Sequence, residues 1–379
     1  EEITKLIEDY KIGGLMFLQG SPYKQAKLTN FFQSKSKIPL VVAIDAEWGV
    51  SMRLDSSLRF PWQMTLGAID DNNLIYEMGV EIAKQCKLLG IHINFAPVVD
   101  VNSNPDNPII NNRSFGENPQ AVSKKSIAYM KGMQDNNILA CAKHFPGHGD
   151  TDADSHKTLP RLNHSLDRLH EIDLIPFKRL INNGLGSVMV AHLNIPILDS
   201  TKNISSSLSK NVVTDLLKNE LNFKGLAITD ALNMKGVSNY YKPGDVDVKA
   251  LLAGNDILLF SEDVPKAIDE IKKAIISNKI SEKEIDERCR KVLLAKKWLN
   301  LDKYRPVDLN EVKQNKITLS SVSLNKKLVE NSITLLQNYN EIVPIKRLDT
   351  LRIASLSIGE ASDEFKNMIS NYAVIDHFH

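Results

Sequence analysis

Short apolar runs recur along this chain of 379 residues, and stretches with helical periodicity separate them. Apolar runs of about four to eight residues are typical of buried strands. They cover residues 14–18, 39–44, 91–96, 138–142, 187–191, 225–229 and 256–260. Strands that alternate with helices indicate βαβ units and a parallel sheet. The chain therefore predicts an α/β fold.

Helix start signals support the segments between the strands. Asn118 is a favourable N-cap residue and Pro119 follows it at the first helical position, which predicts a helix to about residue 136. Ser281 and Glu284 have the spacing of a capping box, which predicts a helix to about residue 299. Helical periodicity also covers residues 72–89, 166–182 and 210–220.

Polar or charged residues follow the apolar runs where the strands should end. They are Asp45, Asp100, Lys143 with His144, His192 and Asp230. Enzymes with a (β/α)8 barrel gather their chemistry at the carboxyl ends of their strands. A doubly wound sheet is the alternative, but no glycine-rich phosphate loop follows any run. We therefore expect a (β/α)8 TIM-type barrel over residues 1–300, with its first strand missing because it precedes Glu1.

The sequence pattern changes after residue 300. Residues 301–330 are polar and rich in Lys and Asn, which indicates a linker. Residues 333–336 and 351–356 predict strands of another unit. Because so short a tail cannot build a core of ordinary size, residues 331–379 predict the incomplete beginning of a C-terminal α/β domain. We therefore expect the natural protein to be longer at both ends.

The charge balance does not point to a nucleic acid or a membrane surface as a partner. The chain has 47 Lys and Arg residues against 46 Asp and Glu, a formal net charge of +1, which creates no strong field. No run approaches the ~18 consecutive apolar residues of a membrane helix. Cys86 and Cys141 lie in apolar segments and predict buried free thiols.

Residues 143–156 form the stretch that is richest in chemistry, with three histidines, three aspartates and Lys143. Pro146, Gly147 and Gly149 indicate irregular backbone, and long loops dense in ionisable groups are usually functional. A buried strand that opens into such a loop predicts an active site. The histidines and aspartates could also bind zinc, although Lys143 would repel a cation. A metal-dependent barrel hydrolase is therefore one alternative.

The same loop resembles the family-3 glycoside hydrolases, specifically their β-N-acetylglucosaminidase branch. The resemblance begins with KHFPGHGD at residues 143–150 and DSH at residues 154–156. Further matching segments are Asp45-x-Glu47 with Arg53, RSFG at 113–116, SVMVAH at 187–192, and FKGL to TDALNM at 223–234. One departure is Trp48-Gly49-Val50, which stands where many members have Gly-Gly-Arg.

The resemblance implies a retaining exo-β-N-acetylglucosaminidase that needs no metal and no cofactor. Asp230 matches the nucleophile that forms a covalent glycosyl intermediate. His156 matches the general acid/base, and Asp154 would orient its imidazole. An ordinary histidine pKa near ~6.5 suits a group that donates a proton and takes one back at neutral pH. The implied substrate is a glycan or muropeptide with terminal N-acetylglucosamine, as in cell-wall recycling.

The resemblance also implies the residues that hold the sugar. Charged side chains suit this role because charge-assisted hydrogen bonds are strong. The implied set is Asp45, Arg53, Arg113, Lys143, His144, His192 and Met234. His192 could equally lie behind the substrate, and Arg113 could pair with Glu117 instead.

Two further alternatives come from the same residues. A β-glucosidase of the same family would typically take its acid from the second domain and would lack the Asp154-x-His156 loop. A barrel that has lost activity could bind sugar without cleaving it, but the matched nucleophile, acid/base and orienting aspartate are all present in the sequence.

Overall fold

The computed structural model of the chain describes residues 1–154, 158–314, 318–359 and 363–378. The chain divides into two compact units, Glu1–Ser332 and Ile333–His379. The first unit is built on a parallel sheet surrounded by helices, and the second contains a two-stranded parallel sheet.

The sheet of the first unit consists of six parallel strands in chain order. They are β1 (Gly14–Phe17), β2 (Val41–Ile44), β3 (Ile93–Asn94), β4 (Leu139–Phe145), β5 (Ser187–Val190) and β6 (Leu226–Thr229). Because each strand lies beside the next one along the chain, the strand order never reverses as it does in a doubly wound sheet. The predicted parallel α/β architecture is confirmed.

Helices connect the strands and follow them. They are α1 (Glu2–Glu8), α2 (Pro22–Lys35), α3 (Gln63–Gly67), α4 (Asn72–Leu88), α5 (Pro119–Gln134), α6 (Leu166–Arg168), α7 (Leu174–Asn182), α8 (Lys235–Ser238), α9 (Asp245–Ala253), α10 (Val264–Ile276), α11 (Glu282–Trp298), α12 (Leu309–Gln314) and α13 (Leu319–Ser332). A π-helical turn, Leu169–Asp173, joins α6 to α7, and the helix Asn211–Glu220 is also of the π type.

The predicted helix starts are present. The Asn118 side chain accepts hydrogen bonds from the backbone N–H groups of Gln120 and Ala121 at the start of α5. Ser281 and Glu284 form the predicted capping box of α11. Each cap satisfies backbone donors that have no partner within the helix.

Two apolar layers flank the sheet, because successive side chains of a strand point to opposite faces. Val42 and Val188 face the helices in one large buried cluster. Ala43, Cys141 and Met189, which lie between such residues, face the opposite side and form a second cluster with Ile228. This second cluster explains the burial of the Cys141 thiol. Cys86 is buried as well, so both cysteines are buried free thiols as predicted.

The predicted seventh strand, residues 256–260, is only partly realised. Ile257 forms an isolated parallel bridge with Ile228. Side chains replace part of the regular ladder here, because the Asp256 carboxylate accepts from the Ala227 N–H at 2.9 Å and the Thr229 hydroxyl accepts from the Leu259 N–H at 2.9 Å. Within the described residues the sheet is curled and sequential, and its pairing does not close an eight-stranded barrel.

Residues 301–330, for which the sequence predicts a linker, contain two helices in contact with the rest of the first unit. Helix α12 contacts α2, and α13 contacts α3 and α4. Val312 and Leu328 are buried, and the Ser321 hydroxyl donates to the Glu81 carboxylate at 2.6 Å. The segment therefore belongs to the compact first unit.

The second unit contains β7 (Ile353–Leu356), α14 (Asp363–Ile369) and β8 (Ile375–Phe378), with β7 and β8 parallel. The predicted strand at residues 351–356 is confirmed as β7. The predicted strand at residues 333–336 is wrong: the backbone there has no strand conformation assigned, and Ile333 and Leu336 are largely exposed. An apolar run that stays exposed to solvent gains little free energy from forming a strand.

Gly149 lies against the backbone of the loop that follows β3, and we expect Gly149→Ala to destabilise the first unit. A Cβ there would lie 1.8 Å from the Val101 carbonyl oxygen. Overpacking typically costs about 1–3 kcal/mol, and a backbone atom cannot move aside as a flexible side chain can. Gly13→Ala is the matched control, because nothing lies within 4 Å of its Cβ position. Equal urea midpoints for the two variants would contradict this close approach.

Candidate active site

A cavity of about 600 Å³ opens where the strands of the first unit end. Residues from β1, β4 and β5 and from the segments after β2 and β6 line it. The structure brings most of the predicted site residues together there: Asp45, Arg53, Arg113, Lys143, His144, Asp230 and Met234.

The ammonium group of Lys143 lies between two carboxylates. Its Nζ is 2.8 Å from Asp45 Oδ1 and 2.8 Å from Glu47 Oε1, and the residue is only 2% exposed. Burial lowers the pKa of Lys143, but the charges of Asp45 and Glu47 outweigh burial and raise this pKa above its ordinary value. Lys143 is therefore a permanent cation at the floor of the cavity.

Arg113 is the second cation that binds Glu47. Its Nε and a terminal nitrogen donate to the two Glu47 oxygens at 2.9 and 2.7 Å, a bidentate geometry that is strong and directional. Burial raises the pKa of Glu47, but Arg113 and Lys143 outweigh it and hold this pKa well below its usual range. Arg113 thus pairs with Glu47 and not with Glu117.

Arg53 adds a further cation, because its guanidinium donates to the second oxygen of Asp45. Burial raises the pKa of Asp45, yet Lys143 and Arg53 together lower it below its ordinary value. Three cations and two carboxylates leave this ion network (Asp45, Glu47, Arg53, Arg113 and Lys143) with a net charge of +1.

Glu47 is a cavity residue that the predicted set of site residues left out. It is fully buried and contacts both Lys143 and Arg113. The signal was present, because Glu47 lies two residues after Asp45 just past a buried strand. A carboxylate in an apolar environment needs a cation close by, so the Asp-x-Glu spacing could have indicated a paired residue.

At a bulge-like register shift in β4, two neighbouring residues face the cavity. Ala142 pairs with Val188 and Phe145 with Val190, so that Lys143 and His144 both lie opposite the single residue Met189. In a regular strand they would point to opposite faces, whereas a bulge can redirect a side chain. Both Lys143 and His144 therefore line the cavity.

Asp100 holds the backbone that follows the bulge. Its carboxylate is 2.7 Å from His144 Nδ1, accepts from the His144 N–H at 3.1 Å and accepts from the His148 N–H at 2.7 Å. Burial raises the pKa of Asp100, but the interactions with His144 and His148 leave it below its ordinary value. Asp100 thus fixes the histidine loop, residues 143–154 as described, and orients the His144 ring.

Two other contacts secure this histidine loop. His148 Nδ1 is 2.6 Å from Thr151 Oγ1, and burial lowers the pKa of His148 to about 4, so its ring is neutral near pH 7. Arg168 donates to Asp173 at 3.1 Å and to Ser103 Oγ at 2.9 Å, and lies 3.7 Å from Asp150. Arg168 therefore links the histidine loop to two neighbouring segments.

Of the two residues predicted to form the acid/base dyad, the structure describes Asp154 alone. Asp154 lies in the histidine loop, and its backbone carbonyl accepts from the Thr158 N–H at 3.0 Å. His156 lies outside the described residues. Both assignments stay predictions.

Asp230 follows β6 and lines the cavity. Its backbone N–H donates to the Val190 carbonyl at 2.9 Å, which joins it to β5. Its Oδ1 accepts from the Ala231 N–H at 2.8 Å. These bonds fix the peptide groups on both sides of the carboxylate.

His192 lies behind this segment and not in the cavity lining. It is fully buried, with Nε2 3.0 Å from the Ala231 carbonyl oxygen and Nδ1 2.8 Å from Ser207 Oγ. Of the two roles that the sequence left open for His192, the geometry favours the one behind the substrate.

Trp48, the residue that departs from the family pattern, packs against Trp62. The ring centroids are 4.2 Å apart, and the Arg59 guanidinium lies over both rings, 5.7 Å from the Trp48 centroid and 4.8 Å from the Trp62 centroid. Such cation–π stacking stabilises a partly exposed aromatic pair. Trp48 therefore has a packing role beside Glu47.

Two other features of the described residues bear on possible ligands. Over residues 1–154, 158–314, 318–359 and 363–378, no group of three or more His, Cys, Asp or Glu side chains is placed to hold a metal ion. Within the same ranges, no helix combines the length and the apolar character that crossing a membrane requires.

Comparison with known proteins gives consistent results. The profile of the glycosyl hydrolase family 3 N terminal domain matches residues 1–295. Beta-hexosaminidase A of Pseudoalteromonas piscicida is 36% identical over 327 residues, which are 78% of this chain and 55% of that protein. Beta-hexosaminidase of Nitrosomonas eutropha is 33% identical over 258 residues, 66% of this chain and 73% of that protein.

A solved structure shares the same architecture. The family 3 beta-N-acetylglucosaminidase from Paenibacillus sp. str. FPU-7 superposes with a TM-score of 0.86 at 32% identity, over 100% of this chain and 75% of that one. The chain spans 55% of the length of its Pseudoalteromonas relative. The family profile, the curated relatives and this structural match agree, and the chain belongs to glycosyl hydrolase family 3.

Proposed function

We propose that this protein is a retaining exo-β-N-acetylglucosaminidase that releases terminal β-linked N-acetylglucosamine. The observation that carries the proposal is Asp230, a carboxylate at a strand end, in one cavity with the fixed donors of the ion network. Hydrolysis through a glycosyl-enzyme intermediate requires a nucleophilic carboxylate beside a held sugar ring. The hexosaminidase names of the relatives support an N-acetylated sugar.

The proposed reaction has two steps. The Asp230 carboxylate attacks the anomeric carbon while His156 donates a proton to the departing glycosidic oxygen, so that one C–O bond forms as another breaks. His156 then takes a proton from water, and the resulting hydroxide attacks the same carbon and releases Asp230. Two inversions give overall retention. Asp154 would orient the His156 imidazole and stabilise its charged form.

The ion network would hold the sugar during both steps. Lys143, Arg113 and Arg53 are cations whose positions Asp45 and Glu47 fix before a substrate arrives. Donors fixed in advance lose little entropy on binding, so hydrogen bonds to the sugar hydroxyls contribute more of their energy. His144, oriented by Asp100, would add a further contact, and Met234 would provide an apolar one.

The architecture around the cavity is a further part of the proposal. The sequential parallel order of the six strands, with Ile257 beside β6, is compatible with a (β/α)8 barrel. Residues from 331 onwards would then begin a second α/β domain. The sequence of the histidine loop argues for this proposal over a β-glucosidase, since it supplies the proposed pair Asp154 and His156.

The substrate is tested with a matched pair of aryl glycosides. We expect faster hydrolysis of an aryl β-N-acetylglucosaminide than of the corresponding β-glucoside, with retention visible by NMR of the first-formed sugar. Asp230→Ala should abolish turnover of both, since no intermediate can form. Preference for the glucoside would identify a β-glucosidase. Complete inhibition by a chelator that added metal reverses would identify a metal-dependent hydrolase.

The role of His156 is tested through the leaving group. A nitrophenolate leaves with little protonation, whereas a sugar alkoxide leaves only if it is protonated. His156→Ala should therefore slow glycosylation by a disaccharide much more than by a nitrophenyl glycoside, in line with the ~10²–10⁴-fold of general acid catalysis. Asp154→Asn should act in the same direction more weakly. Equal losses in single-turnover rates on both substrates would mean that the acid is another group.

The ion network predicts that Glu47→Gln destabilises the protein by about 3–5 kcal/mol at pH 7, because Arg113 loses its counter-charge and Lys143 loses one of two. The pKa of Glu47 is lowered by folding, so its stabilising contribution is present above the ordinary pKa of about 4.3 and is lost as pH falls below it. The difference from wild type should therefore narrow in acid.

Urea unfolding at pH 7 and below pH 4 measures this difference. Glu117→Gln is the matched control, because Glu117 is exposed, and it should behave like wild type at both pH values. A Glu47→Gln deficit that stays constant with pH would contradict the ionised, cation-paired state of Glu47.

A further inference from the structure

His192 occupies a position from which it can act on Asp230 through one intervening residue. It follows β5 directly after Ala191 and is fully buried. Both ring nitrogens contact protein atoms: Nε2 the Ala231 carbonyl oxygen at 3.0 Å, and Nδ1 the Ser207 hydroxyl at 2.8 Å. A contact from either nitrogen to a sugar would have to break one of these hydrogen bonds.

The direction of these hydrogen bonds follows from the group at one end. A carbonyl oxygen only accepts, so Nε2 must donate to Ala231. In the neutral ring Nδ1 is then the acceptor, and the serine hydroxyl groups donate to it, with Ser207 at 2.8 Å and Ser205 at 3.4 Å. The two hydroxyl groups are themselves 3.0 Å apart. The ring thus joins this serine pair to the Ala231 carbonyl.

Ala231 passes this constraint to the carboxylate. Its carbonyl accepts from His192, and its N–H donates to Asp230 Oδ1 at 2.8 Å. The Met234 N–H donates to the same carbonyl at 3.0 Å. Both peptide groups of Ala231 are thus held. His192 holds the carbonyl, as the end of a hydrogen-bonded relay that begins at Ser205 and Ser207, and the Asp230 carboxylate holds the N–H.

The start of the relay is anchored as well. The Asn255 side chain donates to the Ser207 carbonyl at 2.8 Å, and the Ser207 N–H donates to the Ala191 carbonyl at 3.1 Å. Ser205 and Ser207 are fully buried. The hydroxyl groups therefore have little freedom to leave the relay.

We infer that His192, with Ser207 and Ser205, is a positioning residue that sets the orientation of the Asp230 carboxylate through Ala231, and does not contact the sugar. The inference rests on the proposed function, because Asp230 is the nucleophile there. Loss of the Nε2 donor removes one of the two donors to the Ala231 carbonyl and lets the carboxylate turn. A misplacement of about 1 Å can cost ~10²-fold in rate.

The experiment follows covalent labelling of Asp230 by N-acetylglucosaminyl fluoride with a second fluorine at C5. A carboxylate oxygen bonds to the anomeric carbon, and fluoride leaves with the electron pair of the C–F bond. Fluoride departs with little protonation, so His156 has little influence on this step. Intact-protein mass spectrometry gives the limiting labelling rate and the half-saturating concentration, and peptide mapping identifies the labelled residue.

The variants separate positioning from binding. His192→Leu removes both hydrogen bonds, and its limiting rate should fall by on the order of 10²-fold, with the half-saturating concentration nearly unchanged. His192→Gln can still place an N–H donor near the Ala231 carbonyl and should recover much of the rate. His192→Asn is too short for this and should not. A rise in half-saturating concentration alone would make His192 a sugar contact and overturn the inference.

Ser207→Ala keeps the experiment decisive if His192→Leu does not fold. It leaves the ring in place without the nearer hydroxyl partner of Nδ1, at 2.8 Å, and should lower the limiting rate. Ser209→Ala is the matched control, since Ser209 is equally buried but donates to Asp199 at 2.6 Å. Equal rates for the two serine variants would overturn the inference. A wild-type label on a residue other than Asp230, or none, would overturn the proposed nucleophile itself.

Discussion

The buried ammonium group of Lys143 is the constraint on which the cavity depends. A lysine that is 2% exposed has lost its hydration, and such a charge persists only with counter-charges close by. Asp45 and Glu47 supply them, each at 2.8 Å. Lys143 belongs to β4 and Asp45 follows β2, 98 residues earlier in the chain. The ion pairs therefore join the ends of two strands and fix the carboxylates before any substrate binds.

The backbone geometry around Lys143 is a second constraint on the cavity. His144 faces the same cavity as Lys143 at a register shift that places two residues of β4 opposite Met189. The loop beyond the bulge has to pass close to neighbouring segments, which the near contact of Gly149 with Val101 reveals. Asp100 then holds this loop through His144 and His148. Local backbone geometry and one buried carboxylate thus position side chains that residue type alone would not orient.

The sequence was most informative where a local pattern decides the structure. Alternating strands and helices, the Asn118 cap and the Ser281 capping box are set by neighbouring residues. It was least informative where distant segments meet: Glu47 gains its importance from Arg113 and Lys143, and the role of His192 depends on Ser207 and Ala231. The segment at Ile257 forms only a bridge, because the side chains of Asp256 and Thr229 take ladder hydrogen bonds. When side chains replace backbone groups in these hydrogen bonds, the sequence shows no periodic pattern that would reveal it.

The charges of the cavity also indicate the kind of ligand that it can select. The ion network carries +1, an ionised Asp230 brings the sum to zero, and Lys235 in the cavity lining returns it to +1. So small a charge gives only weak long-range attraction to an ion, in keeping with the formal net charge of +1 for the whole chain. Under the proposed function, selection would come from the geometry of hydrogen bonds to an uncharged, hydroxyl-rich sugar. The paired charges would serve as rigid donors and acceptors around Asp230, the proposed nucleophile.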